Sequence, residues 1–342
     1  MAHIGTGCRS STAEIDKLTM KILVFGKNGQ LGKAFHVAFD SGNFSLANHS
    51  NIQYVGRAEC DLANEEAIAG LLNQFQPDLI INASAYTAVD KAETEVDLAF
   101  AINARAPEVM AQYATKHGAT FLHYSTDYVF DGEKNGFYVE NDIRNPLGVY
   151  GKSKAAGEEA IAKAFAISTA KGAGQYAIFR TSWVYGDGGN FIHTILRLAK
   201  EREELKVIED QYGVPTSAEW LAQVSLGLLM DSQGVLRKLP SGIYHAVPAG
   251  ETNWHGLACW AVQTALEAGV LLKVLPHSIK PIPSVEYSLP AAPRPMNSKM
   301  STDKLRRILE GRVDMSKLEL LNQPWDDAVR SYVRNLAKEG LI

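Results

Sequence analysis

A short apolar run followed at once by three spaced glycines limits the fold of this 342-residue chain more than any other feature. Residues Lys21–Phe25 (KILVF) form a β-rich apolar run, which is typical of a strand buried on both faces of a parallel sheet. The loop GKNGQLG over residues 26–32 follows, and an apolar periodicity then predicts a helix from Leu31 to Phe39. A strand, a glycine loop and a helix in this order predict a dinucleotide phosphate site.

Each glycine of this loop has a separate steric role. Gly26 permits the tight turn, Gly29 lets the backbone approach a pyrophosphate, and Gly32 lets the helix pack closely on the strand. Backbone N–H groups and the helix dipole then face the anion. A purely structural glycine turn is the alternative. The residues predicted to bind the cofactor here are Gly26, Asn28, Gly29, Gln30, Leu31 and Gly32.

Two further strands extend the predicted cofactor site. The strand Gln53–Arg57 ends in a guanidinium, which suits a ribose 2′-phosphate and therefore favours NADPH, with NADH as the alternative. Asp61 and Leu62 follow it and are assigned to the same site. The third strand, within 77–86, runs into small residues that would let the cofactor lie close to the backbone, and we assign Ala83, Ser84 and Ala85 to the site.

Strand and helix patterns alternate along the rest of the first half. A helical pattern over Val96–Lys116 encloses Asn103, which must be either a surface residue or a hydrogen-bonded structural link, because a buried unpaired amide is costly. The strand Thr120–Ser125, the helix Gly151–Ala170 and the strand Tyr176–Arg180 follow. This alternation predicts an α/β fold with a doubly wound parallel sheet, the Rossmann type.

A phenol and an ammonium lie four residues apart at the start of the helix at 151. Tyr150 and Lys154 would share a helix face, where a cation favours the phenolate and brings a tyrosine closer to neutral titration. The preceding apolar run, Leu122–Phe130, carries hydroxyl groups that include Thr126. A solvated helix face is the alternative for the pair, so the catalytic interpretation depends on the surrounding strands.

Composition narrows the classes of partner. The chain is 46% hydrophobic and 21% charged with a formal net charge of −4, and its basic residues are scattered. We therefore expect a soluble cytoplasmic protein without a nucleic-acid or membrane partner. Three distant cysteines, Cys8, Cys60 and Cys259, show neither a disulfide framework nor zinc spacing. Residues 1–19 are predicted to be a disordered extension, a cloning remnant or the product of an upstream start.

Longer strings make the assignment more specific. The strings are FGKNGQLG at 25–32, YTAVDKAE at 86–93, YSTDYVF at 124–130, RTSWVY at 180–185, DQYGVPT at 210–216 and RPMNS at 294–298. Together they resemble the dTDP-4-dehydrorhamnose reductases, a family within the extended short-chain dehydrogenases/reductases. The resemblance runs from about Met20 to the C-terminus.

The resemblance implies reduction of the 4-keto group of dTDP-4-dehydro-L-rhamnose by NAD(P)H, giving dTDP-L-rhamnose for cell-surface polysaccharide. Tyr150 would protonate the developing alkoxide, Lys154 would bind the nicotinamide ribose and lower the tyrosine pKa, and Thr126 would orient the ketone. Substrate contacts are implied for Tyr86, Thr87, Thr126, Asp127, Tyr128, Trp183, Arg294, Asn297 and Ser298.

The family also suggests a division of the chain. Residues 20–185 would form the dinucleotide-binding domain, with about 213–255 returning to it, and residues 186–342 would form mainly a smaller α/β domain for the nucleotide sugar. Predicted elements there include the helix Phe191–Glu201, the strand Leu205–Ile208 and the helix Trp325–Lys338. The proline-rich segment 276–301 is predicted to be an irregular loop.

One position departs from the family pattern. Some members carry a carboxylate two residues after the third glycine, where it helps to hold magnesium at a dimer contact, and here that position is Ala34. Glu219 could supply an acid on the same surface. Because the carboxylate is absent at Ala34, we expect no metal ion, and a homodimer stays an open alternative.

Two other classes of function compete with the reductase. One is a non-catalytic, NADP-binding regulatory subunit of the methionine adenosyltransferase type, against which the retention of Thr126, Tyr150 and Lys154 argues. The other is a nucleotide-sugar epimerase or dehydratase. Asp127 could serve a dehydratase, but the next residue is Tyr128 where such enzymes carry Glu.

Overall fold

A computed structural model of the protein describes residues 20–41, 50–168, 172, 174–231, 233–287, 292–310 and 315–342. The predicted extension over residues 1–19 lies outside the described residues. The strands are β1 (Met20–Phe25), β2 (Ser50–Val55), β3 (Leu79–Asn82), β4 (Thr120–Thr126), β5 (Gln175–Thr181), β6 (Val184–Tyr185), β7 (Leu205–Ile208), β8 (Tyr212–Gly213), β9 (Thr216–Ser217), β10 (Gly242–His245), β11 (Thr252–Asn253) and β12 (Ile279–Ile282).

Helices connect these strands and flank the large sheet. They are α1 (Gln30–Asp40), α2 (Glu65–Phe75), α3 (Val89–Ala92), α4 (Val96–Phe100), α5 (Ala106–His117), α6 (Val149–Ile167), α7 (Phe191–Glu201), α8 (Ala218–Leu229), α9 (Trp254–Glu267), α10 (Asp303–Leu309), α11 (Met315–Asn322) and α12 (Trp325–Lys338). A π-helical segment, Ala101–Arg105, joins α4 to α5, and 3₁₀ turns lie at Asp127–Val129, Pro276–Ser278 and Ser284–Glu286.

The central sheet has six parallel strands in the order β10-β5-β4-β3-β1-β2. This is the predicted doubly wound α/β fold. The chain leaves β1 toward β2 on one side and returns to β3 on the other, so the order reverses between β1 and β3. Ligands bind at such reversals, outside the carboxyl ends of the strands. The functional site is therefore expected next to Phe25 and Asn82, which pair across the two strands.

Strand β1 explains why this sheet lies in the middle of the molecule. Its side chains alternate between two cores, Ile22 and Val24 in one and Leu23 and Phe25 in the other, and all four are buried. Helices α1 and α8 cover the first face, whereas α2 and α5 cover the second. A strand buried on both faces needs an uninterrupted apolar run, which is what the sequence shows.

A third core forms mainly from the second half of the chain. Apolar faces of α7, α9 and α12 pack together over β7. Strand β12 pairs in parallel with β7, from Ile279 opposite Leu205 to Ile282 opposite Ile208. The prediction that residues 276–301 are irregular throughout is therefore wrong for this strand, because the partner strand lies about seventy residues away and leaves no local signal. The division into two domains stays a prediction.

Candidate active site

The glycine loop has the close contacts that its sequence predicts. A Cβ on Gly32 would lie 2.0 Å from the carbonyl oxygen of Gly26, so helix α1 can approach the turn only without a side chain there. Gly26 has φ +93°, and a Cβ on it would meet the Ala83 backbone at 2.8 Å. Gly29 precedes α1 without a side-chain cap, which leaves the N–H groups of the first turn to an anion. These residues fit the pyrophosphate of a dinucleotide.

A cleft of about 750 Å³ opens beside this loop at the carboxyl ends of the central strands. It brings together most of the residues predicted from the sequence. Those that line it are Gly26, Asn28, Gly29, Gln30, Leu31, Arg57, Ala83, Ser84, Ala85, Thr87, Thr126, Asp127, Tyr128, Tyr150, Lys154 and Trp183.

Arg57 lies two residues beyond the end of β2, on an exposed rim of the cleft. Glu59, two residues further along the chain, is an acid of the same loop. Its carboxylate accepts hydrogen bonds from the backbone N–H of Gly56 and from Lys27 Nζ. Both bonds hold the pKa of Glu59 below its usual range. The rim therefore carries both a guanidinium, which suits a 2′-phosphate, and a carboxylate already paired with a lysine.

Thr126 and Asp127 form a buried hydroxyl–carboxyl pair where β4 ends. Thr126 Oγ1 donates to Asp127 Oδ1 at 2.9 Å and accepts from the backbone N–H of Tyr128 at 3.2 Å. Burial raises the pKa of Asp127 to about 6, although the hydrogen bond from Thr126 opposes the rise. The predicted strand to Phe130 is shorter than expected, since a 3₁₀ turn begins at Asp127 and directs this pair into the cleft.

Tyr150 lies in the first turn of α6 and lines the cleft together with Thr126 and Asp127. Burial raises the pKa of Tyr150 to about 12, and the charge of Asp127 adds to the rise. Lys154 is not among the groups that shift this pKa, so the lowering of the Tyr150 pKa by Lys154 stays a prediction. A group with this pKa is a phenol at neutral pH, and a phenol is a proton donor.

Lys154 is 1% exposed and is held by other partners. Its Nζ donates to the backbone carbonyl of Tyr124 and lies 3.3 Å from His123 Nε2. Burial lowers the pKa of Lys154 to about 8, which Glu158 opposes through its charge. Burial and the charge of Asp127 raise the pKa of Tyr150, and this ammonium is not among the causes of its shift.

Asn103 is a structural link, the second of its two predicted alternatives. It lies in the π-helical segment, where its Oδ1 accepts from the Tyr86 N–H at 2.8 Å and its Nδ2 donates to the Tyr86 carbonyl and to Ser153 Oγ. A Cβ on Gly157 would lie 2.1 Å from the Asn103 carbonyl, so α6 packs directly on this segment. The π turn thus joins the cofactor side of the sheet to the helix that carries Tyr150.

Helix α6 takes its N-terminal support from a distant acid. Its N-cap residue, Gly148, has no capping side chain, and the N–H of Val149 donates to Glu93 Oε1 at 2.8 Å. Glu93 ends the string 86–93, whose first residue, Tyr86, donates its hydroxyl to Glu95 instead of lining the cleft. Part of this string therefore positions helix α6, while Thr87 lines the cleft.

The string at 294–298 lies against the cleft but does not line it. Arg294 Nη2 donates to Asp90 Oδ2 at 3.0 Å, and its charge acts on the Tyr128 phenol. Asn297 Nδ2 donates to the carbonyls of Lys134 and Gly136, which ties this segment to the loop after β4. The structure places Arg294 and Ser298 behind Tyr128 and Asp127, whereas Asn297 links two loops.

Asp61 and Leu62 also lie outside the residues that line the cleft. Asp61 accepts from the N–H of Ala63, and Leu62 is 8% exposed in the core between α2 and the sheet. Their assignment to the cofactor stays a prediction.

Several lining residues were not expected. Trp254 stacks on Trp183 at 3.7 Å between ring centroids, and Trp183 adopts φ +47°, a strained value for a bulky residue. The loop Asp187–Gly189 closes the cofactor end, where Asp187 pairs with Lys33 at 2.9 Å. Its two consecutive glycines were a usable sequence signal, whereas the tryptophan pair depends on a contact across 71 positions and left none.

The surface near α1 bears on the metal question. Ala34 is buried in the core between α1 and α8, and Glu219 is exposed in the first turn of α8. Within the described ranges no group of three His, Cys, Asp or Glu side chains could hold a metal ion. The metal and the dimer stay predictions. None of the helices in those ranges has both the length and the apolar character that crossing a bilayer requires.

Comparison with known proteins gives consistent matches over most of the chain. The family model described as the RmlD substrate binding domain matches residues 20–335. The dTDP-4-dehydrorhamnose reductase of Escherichia coli K12 is 41% identical over 293 residues, which are 84% of this chain and 91% of that protein. The chain belongs to the dTDP-4-dehydrorhamnose reductase family.

Solved structures of this family have the same fold. A dTDP-4-dehydrorhamnose reductase ortholog from Clostridium acetobutylicum superposes with a TM-score of 0.77 at 32% identity, covering 93% of this chain and 99% of the other. The Bacillus anthracis reductase, determined in complex with NADP, gives a TM-score of 0.75 at 30% identity over 92% of this chain and 98% of the other. A Streptomyces venezuelae dTDP-glucose 4,6-dehydratase, at 17% identity and a TM-score of 0.67, shares the fold alone.

Proposed function

We propose that the protein reduces the 4-keto group of dTDP-4-dehydro-L-rhamnose with a nicotinamide cofactor, NADPH in preference to NADH, and releases dTDP-L-rhamnose. The observation that carries this proposal is the single cleft that holds the glycine loop, Thr126, Tyr150 and Lys154. The relative from Escherichia coli K12 supports this proposal, since it is named as a dTDP-4-dehydrorhamnose reductase.

The residues of the chain divide the chemistry between them. The bound cofactor would supply the hydride to the carbonyl carbon. Tyr150, a phenol at neutral pH, would give its proton to the carbonyl oxygen as negative charge develops there. Thr126 lines the cleft together with Tyr150 and would hold the ketone oxygen beside it. Lys154, which also lines the cleft, would hold the cofactor.

The raised pKa of Tyr150 agrees with the direction of this reaction. A reductase needs a group that carries its proton before the hydride arrives, and burial keeps the phenol protonated. Deprotonation would be needed for the reverse oxidation. The proposal is thus a reductase in its forward direction, with the proton donor already in place.

The nucleotide sugar would enter from the side of Tyr128 and Trp183. Arg294 would contact the diphosphate, because its fork geometry suits phosphate oxygens and its Asp90 partner is partly exposed. Asp127, Tyr128 and Thr87 would contact the sugar at the base of the cleft. The Trp183–Trp254 stack would form one wall.

The competing functions predict different outcomes of one assay. Purified protein is mixed with NADPH and dTDP-4-dehydro-L-rhamnose, nicotinamide absorbance is followed, and the sugar product is identified. We expect oxidation of NADPH together with formation of dTDP-L-rhamnose in equal amounts. Bound but unconsumed NADPH would support the regulatory-subunit alternative, and a changed sugar without net NADPH oxidation would support an epimerase or dehydratase.

Arg57→Ala tests the coenzyme preference. The guanidinium is assigned to the 2′-phosphate, so its loss should weaken NADPH binding by roughly 10-fold and NADH binding by much less. Dissociation constants for both coenzymes, from quenching of tryptophan fluorescence, measure this. Lys27→Ala is the matched control, because that lysine is already paired with Glu59. Equal losses for the two coenzymes in Arg57→Ala would contradict the assignment.

A further inference from the structure

Asn82 and His123 lie beneath Lys154 and have no part in the reaction as described so far. They pair across β3 and β4, which places their side chains side by side, and both are fully buried. Asn82 Nδ2 lies 3.1 Å from His123 Nδ1, and His123 Nε2 lies 3.3 Å from Lys154 Nζ. Asn82 and His123 thus form a buried hydrogen-bonded row that ends on Lys154, the predicted catalytic lysine. Such a row can change the pKa of the lysine.

The orientation of the Asn82 amide follows from a third contact. The backbone N–H of Ser84 donates to Asn82 Oδ1 at 3.1 Å, so the oxygen faces Ser84 and the NH₂ group faces the imidazole. His123 Nδ1 must then accept a hydrogen bond. A neutral imidazole with an accepting Nδ1 carries its hydrogen on Nε2.

This tautomer directs an N–H at Lys154. An ammonium offers three donors and no acceptor, so a charged Lys154 and the His123 Nε2–H present donor to donor. A neutral amine has a lone pair that can accept this hydrogen. The pair therefore favours the neutral form of Lys154 and disfavours the ammonium.

Other groups around Lys154 act in both directions. Burial of the side chain lowers its pKa to about 8. Glu158, one turn further along α6, raises this pKa, but Arg180 Nε and Nη2 bond its two oxygens at 2.8 and 2.7 Å, and Arg144 also contacts it. On β4, the Tyr124 carbonyl accepts from Nζ in either protonation state. On α6 itself, Tyr150 is a neutral phenol at neutral pH.

We propose that Asn82 and His123 form a positioning pair that weakens the hold of Lys154 on its proton by presenting an imidazole N–H to Nζ. The pair deepens the proposed function, on which its use in catalysis rests. It makes the charge of the lysine adjustable near neutral pH, where an ordinary lysine is always charged. Ser84, which orients Asn82, lines the cofactor cleft, so the same hydrogen-bonded row reaches the cofactor loop.

Asn82→Asp should reverse the direction of the hydrogen bonds in the row, so that His123 donates through Nδ1 and accepts through Nε2. The carboxylate introduced still accepts from the Ser84 N–H and now also accepts from His123 Nδ1–H, which frees Nε2 to accept from the Lys154 ammonium. The pKa of Lys154 should therefore rise by roughly one unit or more. Protein labelled with ¹³C at lysine Cε is titrated by NMR, and Lys154→Arg identifies the Lys154 signal by its loss.

A matched control separates this effect from loss of buried hydrogen bonding in general. Ser225→Ala removes the partner of the Tyr124 hydroxyl on the same strand, outside the Asn82–His123 row. It should leave the Lys154 midpoint unchanged. An Asn82→Asp midpoint that stays at the wild-type value, or moves down, would overturn the proposal.

The wild-type protein supplies a second test that needs no variant to fold. The ¹⁵N shifts of the His123 ring should show hydrogen on Nε2 and none on Nδ1, and the opposite tautomer would overturn the proposal. Neither measurement uses turnover. If the titration behaves as expected but the sugar is not reduced, the proposed function fails and the pair stands; an active reductase with an unshifted midpoint gives the reverse.

Discussion

Burial is the largest influence on how Tyr150, Asp127 and Lys154 hold their protons. It raises the pKa of Tyr150 to about 12 and that of Asp127 to about 6, and it lowers the pKa of Lys154 to about 8. All three shifts favour the neutral form, as transfer out of water requires. At neutral pH Tyr150 is a neutral phenol, whereas Asp127 and Lys154 have pKa values within about one unit of neutrality and change their charge near it.

Asp127→Asn isolates the stability cost of one of these shifts. Because the folded pKa is about 6 and the ordinary value is 3.8, the folded protein binds this proton more tightly, and the free energy of unfolding falls as pH rises from about 4 to about 6. The variant lacks this loss. Its stability relative to wild type should rise by about 2 kcal/mol between pH 4 and pH 7.5.

Urea denaturation of both proteins at the two pH values measures this difference. Asp131→Asn is the matched control. Asp131 is half-buried, and hydrogen bonds hold the pKa of its carboxyl below the usual range. Its relative stability should not rise with pH. A constant difference for Asp127→Asn across the window would mean that the carboxyl ionises in the fold without cost.

At the scale of single elements, helix α6 sets the geometry of the site. It carries Tyr150 and Lys154, donates a hydrogen bond from the Val149 N–H to Glu93 at its first turn, and packs through Gly157 on the π-helical segment. The π turn is a costly irregularity, and such turns are frequent at functional sites. Here it brings the Asn103 amide to both Tyr86 and Ser153.

Gly157→Ala tests this packing. The added Cβ would lie 2.1 Å from the Asn103 carbonyl, so α6 or the π turn must move. We expect a loss of about 2 kcal/mol in the free energy of unfolding and a roughly 10-fold lower turnover, since displaced reacting groups lose alignment. Chemical denaturation and steady-state kinetics measure the two effects.

Gly70→Ala is the matched control for that substitution. Gly70 lies in α2, is exposed, and a Cβ there would have nothing within 4 Å. Alanine should stabilise the helix by about 0.5–1 kcal/mol and leave turnover unchanged. Stabilisation by alanine at position 157 as well would show that α6 and the π turn do not pack as described.

Elements with a local signal were predictable from the sequence. The helices Phe191–Glu201 and Trp325–Lys338 and the strand Leu205–Ile208 have the predicted bounds, because one apolar face or run defines each. The helix pattern over 96–116 could not show the π turn, which depends on packing against α6. The helix Met315–Asn322 was missed, since its apolar periodicity is weak.

The site shows the same limit. Glycine spacing, the Tyr150–Lys154 interval and the small residues after β3 predicted which side chains line the cleft, since these depend on neighbours in the chain. The partners of Lys154 were not predictable, because His123 and the Tyr124 carbonyl come from a different strand. The four-residue interval alone does not determine whether the Lys154 ammonium faces the Tyr150 phenol or the sheet.

At the scale of the whole molecule, the segment 292–301 joins the two halves of the chain at the cleft. Ala292 and Arg294 bond to Asp90, the Ser298 N–H donates to the Tyr212 carbonyl, and the backbone at Tyr212 pairs with Asn297. A segment held from both sides can place a substrate contact without a covalent constraint. It connects the second half of the chain to the residues to which we assign the reduction.

Arg294→Ala should separate substrate binding from cofactor binding. Removal of the proposed diphosphate contact should raise KM for the nucleotide sugar about 10-fold or more, while the dissociation constant for NADPH changes less than about 2-fold. Arg307→Ala, at an exposed arginine on α10, is the matched control. Asp90→Asn keeps the guanidinium; if it raises KM as much as Arg294→Ala does, the arginine acts by holding the segment and not by contacting phosphate.

The central claim is that this cleft reduces the sugar ketone with Tyr150 as the proton donor. The most direct measurement is the single-turnover rate of NADPH oxidation at saturating dTDP-4-dehydro-L-rhamnose in wild-type protein and in Tyr150→Phe, with NADPH binding measured in both. We expect intact NADPH binding in the variant and a single-turnover rate of NADPH oxidation that is lower by ~100-fold or more. An unchanged rate with the same product would contradict it.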